Sequence, residues 1–470
     1  MEQQTVRPFG IRDKLGYLFG DFGNDFTFIL STMILMKFYT DVMGVGAGIV
    51  GTVMMIARFA DAFTDVTMGR ICDRHKGNAQ GKFKPWILRM CGPVAVSSFL
   101  IYQSALSDAP QWLKIGYLCV TYILWGSVFY TSINIPYGSM ASAISADPGD
   151  RQSLSTFRTM GGMLAGAVIG VGLPLIAYQK NAETGKEVLV GSRVTLAAGI
   201  FSVLAILCYL LCYFLVTERV RPKVSEDVFQ ENSVGKMLKN AFRNRALISI
   251  IAASVVMLLA QLTMQNMANY VFPDYYGNAK AQSVSTLMMM LGMTVAALTA
   301  KPLAKRFGKA EVSVSSNLFA AAVCVLMFLW HPQNVWVYVG LQMLCWLGLG
   351  VFSMVSWALI TDVIDYSELK NGIREDGSVY AMYSFARKLG QALAAGMVGW
   401  LLTAIGYSEG TAQQGIKQTA EVLRGIYNIS TLVPAIGFTL LALILWFWYP
   451  LHKKQVDANV AELRKKHEQE

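Results

Sequence analysis

Long apolar runs without any charge are the feature of this sequence that most restricts its fold. Residues 194–217, 246–273, 312–361 and 426–450 contain no Asp, Glu, Lys or Arg. An α-helix needs about 20 mostly apolar residues to cross the hydrocarbon core of a membrane. Only 15% of the residues are charged, against about 25% in soluble globular proteins. The pattern predicts a polytopic membrane protein. It excludes a soluble enzyme, a nucleic-acid-binding protein and a disordered chain, although the net charge is +10.

The same length criterion, applied along the whole chain, predicts twelve helical spans. Lys and Arg are concentrated in the N-terminal segment, in every second loop and in the C-terminal tail. Because basic residues favour the cytoplasmic side of a membrane, both termini are predicted to be cytoplasmic. The predicted spans are residues 17–40, 46–70, 86–106, 113–142, 154–178, 194–217, 246–272, 283–301, 312–330, 335–363, 378–404 and 426–449.

The longest predicted loop divides the chain into two halves. Residues 218–245 form this cytoplasmic loop between six-helix halves at 1–217 and 246–450, and residues 451–470 form a cytoplasmic tail. The loops after the second and eighth spans are both short and basic, at matching places in the two halves. Two six-helix repeats with a site between them near the membrane midplane are the architecture of major facilitator transporters. We therefore predict an all-α polytopic membrane protein with this fold.

Several charged residues fall inside predicted spans, where each costs about 2.5–3.5 kcal/mol at the membrane centre. Asp61 and Asp65 are four residues apart in the second span, so both carboxylates lie on one helix face. Two neighbouring carboxylates facing a cavity can bind a hard cation or hold a proton between them. The alternative is that these acids and bases pair only to hold helices together. The charged residues concerned are Asp25, Arg58, Asp61, Asp65, Arg158, Arg387 and Lys388.

Three acidic residues lie at the cytoplasmic end of the tenth span. The C-terminal end of a helix disfavours acids, so Asp362, Asp365 and Glu368 are expected to have basic partners. One interpretation is a cytoplasmic gate that these acids form with Arg151 or with the basic loop after the second span. The other interpretation is a solvated surface without a role in gating.

Several segments together resemble the glycoside–pentoside–hexuronide:cation symporters. This family contains melibiose permease and the bacterial glucuronide and xyloside permeases, and the match runs over nearly the whole chain. The matching segments are residues 20–25 (GDFGND), 38–41 (FYTD), 61–65 (DAFTD), 81–86 (GKFKPW), 134–139 (NIPYGS), 362–368 (DVIDYSE), 372–374 (GIR) and 387–388 (RK).

The resemblance implies a cation site. In members similar to melibiose permease, paired acids of the second helix and a threonine of the fourth form it, which here are Asp61, Asp65 and Thr131. Thr64 stands where melibiose permease has an asparagine whose amide oxygen helps to hold sodium. Na⁺ and H⁺ therefore both remain candidates for the coupling ion, and Asp61 and Asp65 are metal ligands only in the case of Na⁺.

The resemblance also implies a sugar site. An acid of the first helix and an arginine of the fifth would hold sugar hydroxyls, here Asp25 and Arg158, and Lys388 would couple the two halves. Asn134 replaces a sugar-binding aspartate of melibiose permease, and Gly138 replaces a tryptophan one turn later. These changes are similar to the glucuronide and xyloside branch and imply a different sugar.

The expected function is cation-coupled symport of a glycoside such as a glucuronide or xyloside, by alternating access. An alternative is transport or export of an acidic or sulfonated sugar metabolite, or of a lipid. We expect no catalytic residues, no cofactor beyond the coupling H⁺ or Na⁺, and no nucleic-acid partner. The expected partners are a small sugar and the lipid bilayer. The protein is expected to function as a monomer in a bacterial inner membrane.

Overall fold

Helices make up most of the computed structural model. It describes residues 7–74, 77–78, 80–180, 187–220, 244–371, 376–410 and 418–467, some of them by backbone alone. Within these ranges there are twelve long helices and a shorter C-terminal one. They are α1 Ile11–Lys37, α2 Ala47–Arg74, α3 Lys84–Ile101, α4 Gln111–Ile144, α5 Pro148–Ala177, α6 Gly191–Leu215, α7 Arg245–Tyr270, α8 Lys280–Phe307, α9 Lys309–Trp330, α10 Val335–Asn371, α11 Asp376–Ala404, α12 Ala420–Leu443 and α13 Lys453–His467.

The observed helices agree with the predicted spans in number and order. Most of the observed helices extend several residues beyond the predicted apolar spans, because the polar and basic residues that flank each span are also helical. By length and hydropathy, ten of the described helices qualify as membrane spans. Helices α1 and α11 are the two long helices outside that set, and both carry charged residues in their interior.

The structure also contains elements that the apolar pattern did not predict. A short antiparallel hairpin follows α5, with β1 at Tyr178–Lys180 and β2 at Glu187–Leu189. A 3₁₀ turn follows α3. Among the described residues, π-helical stretches interrupt or extend four helices, and such stretches are frequent at functional sites. The π-helical stretches are Phe38–Val42, Leu124–Tyr130, Val271–Tyr275 and Ile444–Trp448.

Polar side chains fix several helix starts. Asp147 accepts a hydrogen bond from the Asp150 backbone N–H at 2.9 Å at the start of α5. Asn244 and Thr419 do the same for α7 and α12. Each satisfies a backbone N–H that has no partner within its own helix. These side chains therefore stabilise the first turns of α5, α7 and α12.

The chain forms two compact units. The first is Met1–Val228 with Leu402–Gln418, and the second is Phe229–Leu401 with Thr419–Glu470. Most of the predicted central loop 218–245 lies outside the described residues, as does the segment 372–374. The predicted domain boundaries therefore stay predictions.

A buried carboxylate ties the two ends of the first six helices together. Asp13 in α1 is fully buried. Arg7 and Arg219 both contact it at 2.8 Å, and the Thr217 backbone N–H donates to it at 3.0 Å. A buried charge with several partners is held in one geometry. The start of α1 is thus joined to the residues that follow α6.

The start of α3 is held in a similar way. The Glu218 carboxylate accepts hydrogen bonds from the backbone N–H groups of Lys82, Phe83 and Lys84 at 2.7–2.9 Å. Gly81 has φ +131°, and a Cβ there would overlap this carboxylate. The glycine at the start of the 81–86 motif is therefore required by backbone conformation and by the close approach of Glu218.

Candidate functional site

The two acids of α2 face two hydroxyl groups of α4. The Ser127 hydroxyl donates to Asp61 Oδ1 at 2.5 Å, and the Thr131 hydroxyl donates to Asp65 Oδ1 at 2.9 Å. Both hydroxyl residues are buried, and both acids are half-buried. The spacing of four residues on α4 matches the spacing on α2, so each turn of one helix faces a turn of the other.

The backbone of α4 comes close to Asp61. A Cβ at Gly126 would lie 3.4 Å from Asp61 Oδ1. Gly126, Ser127 and the rest of the π-helical stretch Leu124–Tyr130 widen the helix at this point. The widened turn presents Ser127 and, one turn later, Thr131 to α2.

An arginine of α2 lies beside the acid pair. The Arg58 guanidinium is 3.7 Å from Asp61 Oδ2, and it lies over the Phe28 ring at 4.7 Å from the ring centre. The side chains of Arg58 and Asp61 are only 12% and 17% exposed. Arg58 therefore places a positive charge beside the acid pair.

Thr64 makes a local contact. Its hydroxyl donates to the Asp61 backbone carbonyl at 3.1 Å, within α2 itself. The predicted cation residues Asp61, Asp65 and Thr131 are brought together, while the described bond of Thr64 is to the backbone of its own helix.

The arginine of α5 contacts Asp21, an acid of α1 that was not among the predicted site residues. Arg158 Nε donates to Asp21 Oδ1 at 2.9 Å, with the arginine side chain 41% exposed and the aspartate 13% exposed. Asp25 lies one turn further along α1, against the backbone of α5. A Cβ at Gly162 would lie 2.6 Å from Asp25 Oδ2. The absence of a side chain at Gly162 thus makes room for the Asp25 carboxylate.

Asn134 lies in a polar cluster with α1 and α6. It accepts a hydrogen bond from Asn24 Nδ2 at 3.4 Å, and Tyr209 donates to Asn24 Oδ1 at 2.9 Å. One turn along α4, a Cβ at Gly138 would lie 3.6 Å from Arg158 Nη1. The two sugar-site positions that depart from melibiose permease therefore lie one turn apart on α4, with Gly138 next to Arg158.

The remaining predicted site residues are distributed over both units. Lys388 is half-buried in α11, in the second unit. In the same unit, Lys309 of α9 donates to Asp362 Oδ1 at 2.6 Å, and Asp365 and Glu368 lie within the next two turns of α10. Arg151 is exposed at the start of α5, in the first unit, and donates to the Ser145 carbonyl at 2.9 Å. The gate stays a prediction.

The sequence reasoning missed three partners of the predicted residues. They are Ser127 beside Asp61, Asp21 beside Arg158, and Lys309 beside Asp362. Ser127 could have been found, because it precedes Thr131 by the same four residues that separate the two acids. Lys309 precedes the predicted span 312–330 and Asp362 lies at the end of the next one, 335–363, so no local spacing connects them.

Residues 16–453 match the family described as MFS/sugar transport protein, in which MFS stands for major facilitator superfamily. The chain belongs to this family. The chain is 30% identical to a glucuronide carrier protein homolog of Escherichia coli, covering 98% of this chain and 97% of that protein. It is also 30% identical to the isoprimeverose transporter of Lactiplantibacillus pentosus, covering 97% and 92%. The resemblance to glycoside–pentoside–hexuronide symporters is confirmed.

Membership of the MFS/sugar transport protein family also agrees with the solved structures. A crystal structure of a D-xylose-proton symporter superposes with a TM-score of 0.63 at 16% identity, over 94% of this chain and 97% of that one. This likeness confirms the predicted all-α major facilitator fold. The protein is thus a multi-pass membrane transporter of a small sugar, and its relatives are transporters rather than enzymes.

Proposed function

We propose that this member of the MFS/sugar transport family couples the movement of a glycoside to that of a cation. The observation that carries the proposal is the acid pair of α2, with each carboxylate hydrogen-bonded to a hydroxyl of α4. Ionisable residues inside membrane spans mark ion pathways. The sugar is a glucuronide or a xyloside. This choice is supported by the motif at residues 134–139 and by the similarity to the glucuronide carrier protein homolog and the isoprimeverose transporter.

The cation binds at Asp61 and Asp65, with the hydroxyls of Ser127 and Thr131 as further oxygens. Sodium prefers oxygen ligands, and these four side chains offer only oxygen. A proton needs only one of the carboxylates. Either ion reduces the negative charge of the half-buried Asp61 and Asp65 carboxylates. The hydroxyl of Thr64 is directed to its own helix and takes a supporting role.

The sugar binds to side chains of α1, α4 and α5 in the first unit. Asp21 holds the Arg158 guanidinium at 2.9 Å, which leaves Asp25 and Asn134 to contact sugar hydroxyls. Charged hydrogen bonds are roughly twice as strong as neutral ones. The remaining N–H groups of Arg158 and the Asp25 carboxylate are therefore the strongest hydrogen-bonding groups for an oxygen-rich ligand.

Coupling follows from the charge. One positive charge moving inward across 100 mV supplies about 2.3 kcal/mol, which at about 1.4 kcal/mol per decade is roughly a 50-fold sugar gradient. Cation binding reduces the repulsion in the acid pair and favours sugar binding. The loaded protein then changes access by the rocking of two repeats that is typical of such folds.

The experiment is uptake into proteoliposomes with imposed Na⁺ or H⁺ gradients. Labelled glucuronides, xylosides, galactosides and a sulfonated sugar are compared side by side. Accumulation of a glycoside under one gradient supports the proposal and identifies the ion. Folded protein that accumulates none of the glycosides under either gradient contradicts it, and uptake of the sulfonated sugar alone would favour the acidic-metabolite alternative.

The cellular setting is part of the same proposal. We place the protein as a monomer in a bacterial inner membrane, with both termini in the cytoplasm and with no cofactor besides the coupling cation. The distribution of Lys and Arg along the chain supports this orientation. Labelling of single cysteines introduced at each terminus, in intact and opened cells, tests it.

A further inference from the structure

Four buried polar side chains of the first unit lack a hydrogen-bond partner, and they come from three neighbouring helices. Ser31 belongs to α1, Tyr102 directly follows α3, and Tyr122 and Trp125 belong to α4. Each of these residues is at most 2% exposed. Their three hydroxyls and the indole N–H make no hydrogen bond within the described part of the chain.

The four side chains lie together, and we call them the tyrosine cluster. The Ser31 hydroxyl lies beside the hydroxyls of Tyr102 and Tyr122, although none of them is aligned for a direct hydrogen bond. The Trp125 ring packs against the Tyr122 ring, with the ring centres 5.5 Å apart. A buried polar group without a partner is costly. Internal water commonly satisfies such groups, with about three hydrogen bonds per molecule.

The tyrosine cluster borders the guanidinium of Arg58. Arg58 lies beside the Tyr122 hydroxyl, and its Nη1 is 3.7 Å from Asp61 Oδ2. A charged hydrogen bond measures about 2.7–2.9 Å, so this distance is too long for one between these two atoms. The charged and titratable groups that face Arg58 are Asp61, Tyr122 and Tyr130. Arg58 thus lies between the acid pair and the tyrosine cluster.

The chemistry of the tyrosine cluster fits water and disfavours a metal cation. An indole N–H only donates, and a guanidinium has N–H donors but no acceptor. A metal cation would meet the positive charge of Arg58, and Trp125 would offer it no lone pair. A water molecule can donate to a hydroxyl oxygen and also accept from an N–H group.

We propose that the tyrosine cluster is a water-binding pocket that receives the Arg58 guanidinium when a cation binds to Asp61. Either Na⁺ or a proton neutralises the negative charge beside Arg58, and a buried charge without a partner is strongly unfavourable. The hydroxyl oxygens and the water of the pocket then accept hydrogen bonds from the guanidinium. The inference rests on the proposed function and adds a site that sets its cation affinity.

The first measurement detects the water itself. The full chain is exposed in detergent to X-ray-generated hydroxyl radicals in isotopically labelled water, which modify buried side chains where water is bound beside them. Tyr338 is the comparison, because it is also buried, at 1% exposed, and its hydroxyl is directed to Ser430. Tyr122 is expected to be labelled faster than Tyr338. Equal labelling of the two tyrosines overturns the pocket.

The second measurement titrates Na⁺ and H⁺ against binding of a labelled glucuronide and a labelled xyloside to purified variants. Tyr122→Phe and Ser31→Ala each remove one hydroxyl of the pocket. Tyr117→Phe is the matched control, because Tyr117 of α4 donates to the Leu100 carbonyl at 2.6 Å, outside the tyrosine cluster.

The variants are expected to differ in cation dependence alone. The cation concentration for half-maximal sugar binding rises about tenfold in Tyr122→Phe, which loses a hydrogen bond to a charged group. It rises about threefold in Ser31→Ala, which loses a neutral hydrogen bond. In both variants the sugar affinity at saturating cation stays at the wild-type value, and Tyr117→Phe behaves as wild type.

A neutral residue in place of Arg58 separates this role from a structural one. In an Arg58→Gln background, Tyr122→Phe is expected to cause no further rise, because no guanidinium moves to the pocket. The same rise in both backgrounds, or no rise in the wild-type background, overturns the movement of Arg58. If Tyr122→Phe does not fold, the same comparison is made with Ser31→Ala.

Failure of the proposed function gives a different result. Sugar binding to the wild-type protein that depends on neither cation overturns the proposed function and the role of Arg58 together. The radical labelling still decides in that case whether the tyrosine cluster binds water.

Discussion

Lys37 and Asp41 form a buried ion pair where α1 passes into its π-helical extension, and its removal makes a sharp stability test. Their side chains are 1% and 5% exposed, with Lys37 Nζ 2.8 Å from Asp41 Oδ2. Tyr407 completes the group, because its hydroxyl accepts from Lys37 at 3.0 Å and donates to Asp41 at 2.8 Å. All three residues belong to the first unit.

Replacing Asp41 by Asn removes the carboxylate that the buried Lys37 ammonium contacts at 2.8 Å. Removing one member of a buried pair costs about 3–5 kcal/mol, because the remaining charge stays out of water. Tyr407→Phe removes two hydrogen bonds to charged groups, each worth about 1.5–3 kcal/mol. The double variant Lys37→Met with Asp41→Leu removes both charges and should recover most of the loss from Asp41→Asn.

The assay is equilibrium unfolding in detergent, with the free energy of unfolding compared among variants. Asp108→Asn is the matched control, because Asp108 is exposed in the loop after α3 and its loss should stay within about 0.5 kcal/mol. If Asp41→Asn is no more destabilising than Asp108→Asn, the pair is not the tightly held contact described above. A double variant that is less stable than Asp41→Asn would contradict the explanation by loss of the carboxylate beside a buried ammonium.

Three further predictions concern single contacts. Ser127→Ala removes the hydroxyl that donates to Asp61, and should raise the cation concentration for half-maximal uptake about two- to tenfold. The measurement is a cation titration of sugar uptake, with Ser139→Ala as the control. Asp21→Asn removes the charge that holds Arg158 and should raise the sugar KM while the cation dependence stays unchanged. Glu218→Gln weakens three charged hydrogen bonds at the start of α3 and should lower the free energy of unfolding by about 1.5–3 kcal/mol, measured in the same detergent assay.

The twelve helices could be predicted because a membrane span is set by length and hydrophobicity, which are local properties. The acids of α2 stood out for the same reason, since a charge inside a span is costly wherever its partner lies. The charged helices α1 and α11 were predicted by the same length criterion, because each still contains about 20 mostly apolar residues despite its interior charges.

The partners of these residues could not be predicted, because they come from other helices. Asp21 and Asp25 are one turn apart on α1, and only the packing of α5 shows that Arg158 contacts Asp21. No pattern of apolar residues predicts the π-helical stretch of α4, yet this stretch places the Ser127 hydroxyl within hydrogen-bonding distance of Asp61. The hairpin after α5 is too short to produce an alternating pattern that could be recognised.

Coupling through the α2 acids is the central claim, and Asp61→Asn tests it most directly. Wild-type protein and the variant are reconstituted, and two rates are measured for the transported sugar: accumulation driven by an ion gradient, and exchange across the membrane at equal sugar concentrations. Loss of accumulation with retained exchange is the predicted result, because the sugar site remains while the cation site is lost. Gradient-driven accumulation at the wild-type level in both Asp61→Asn and Asp65→Asn would contradict the account.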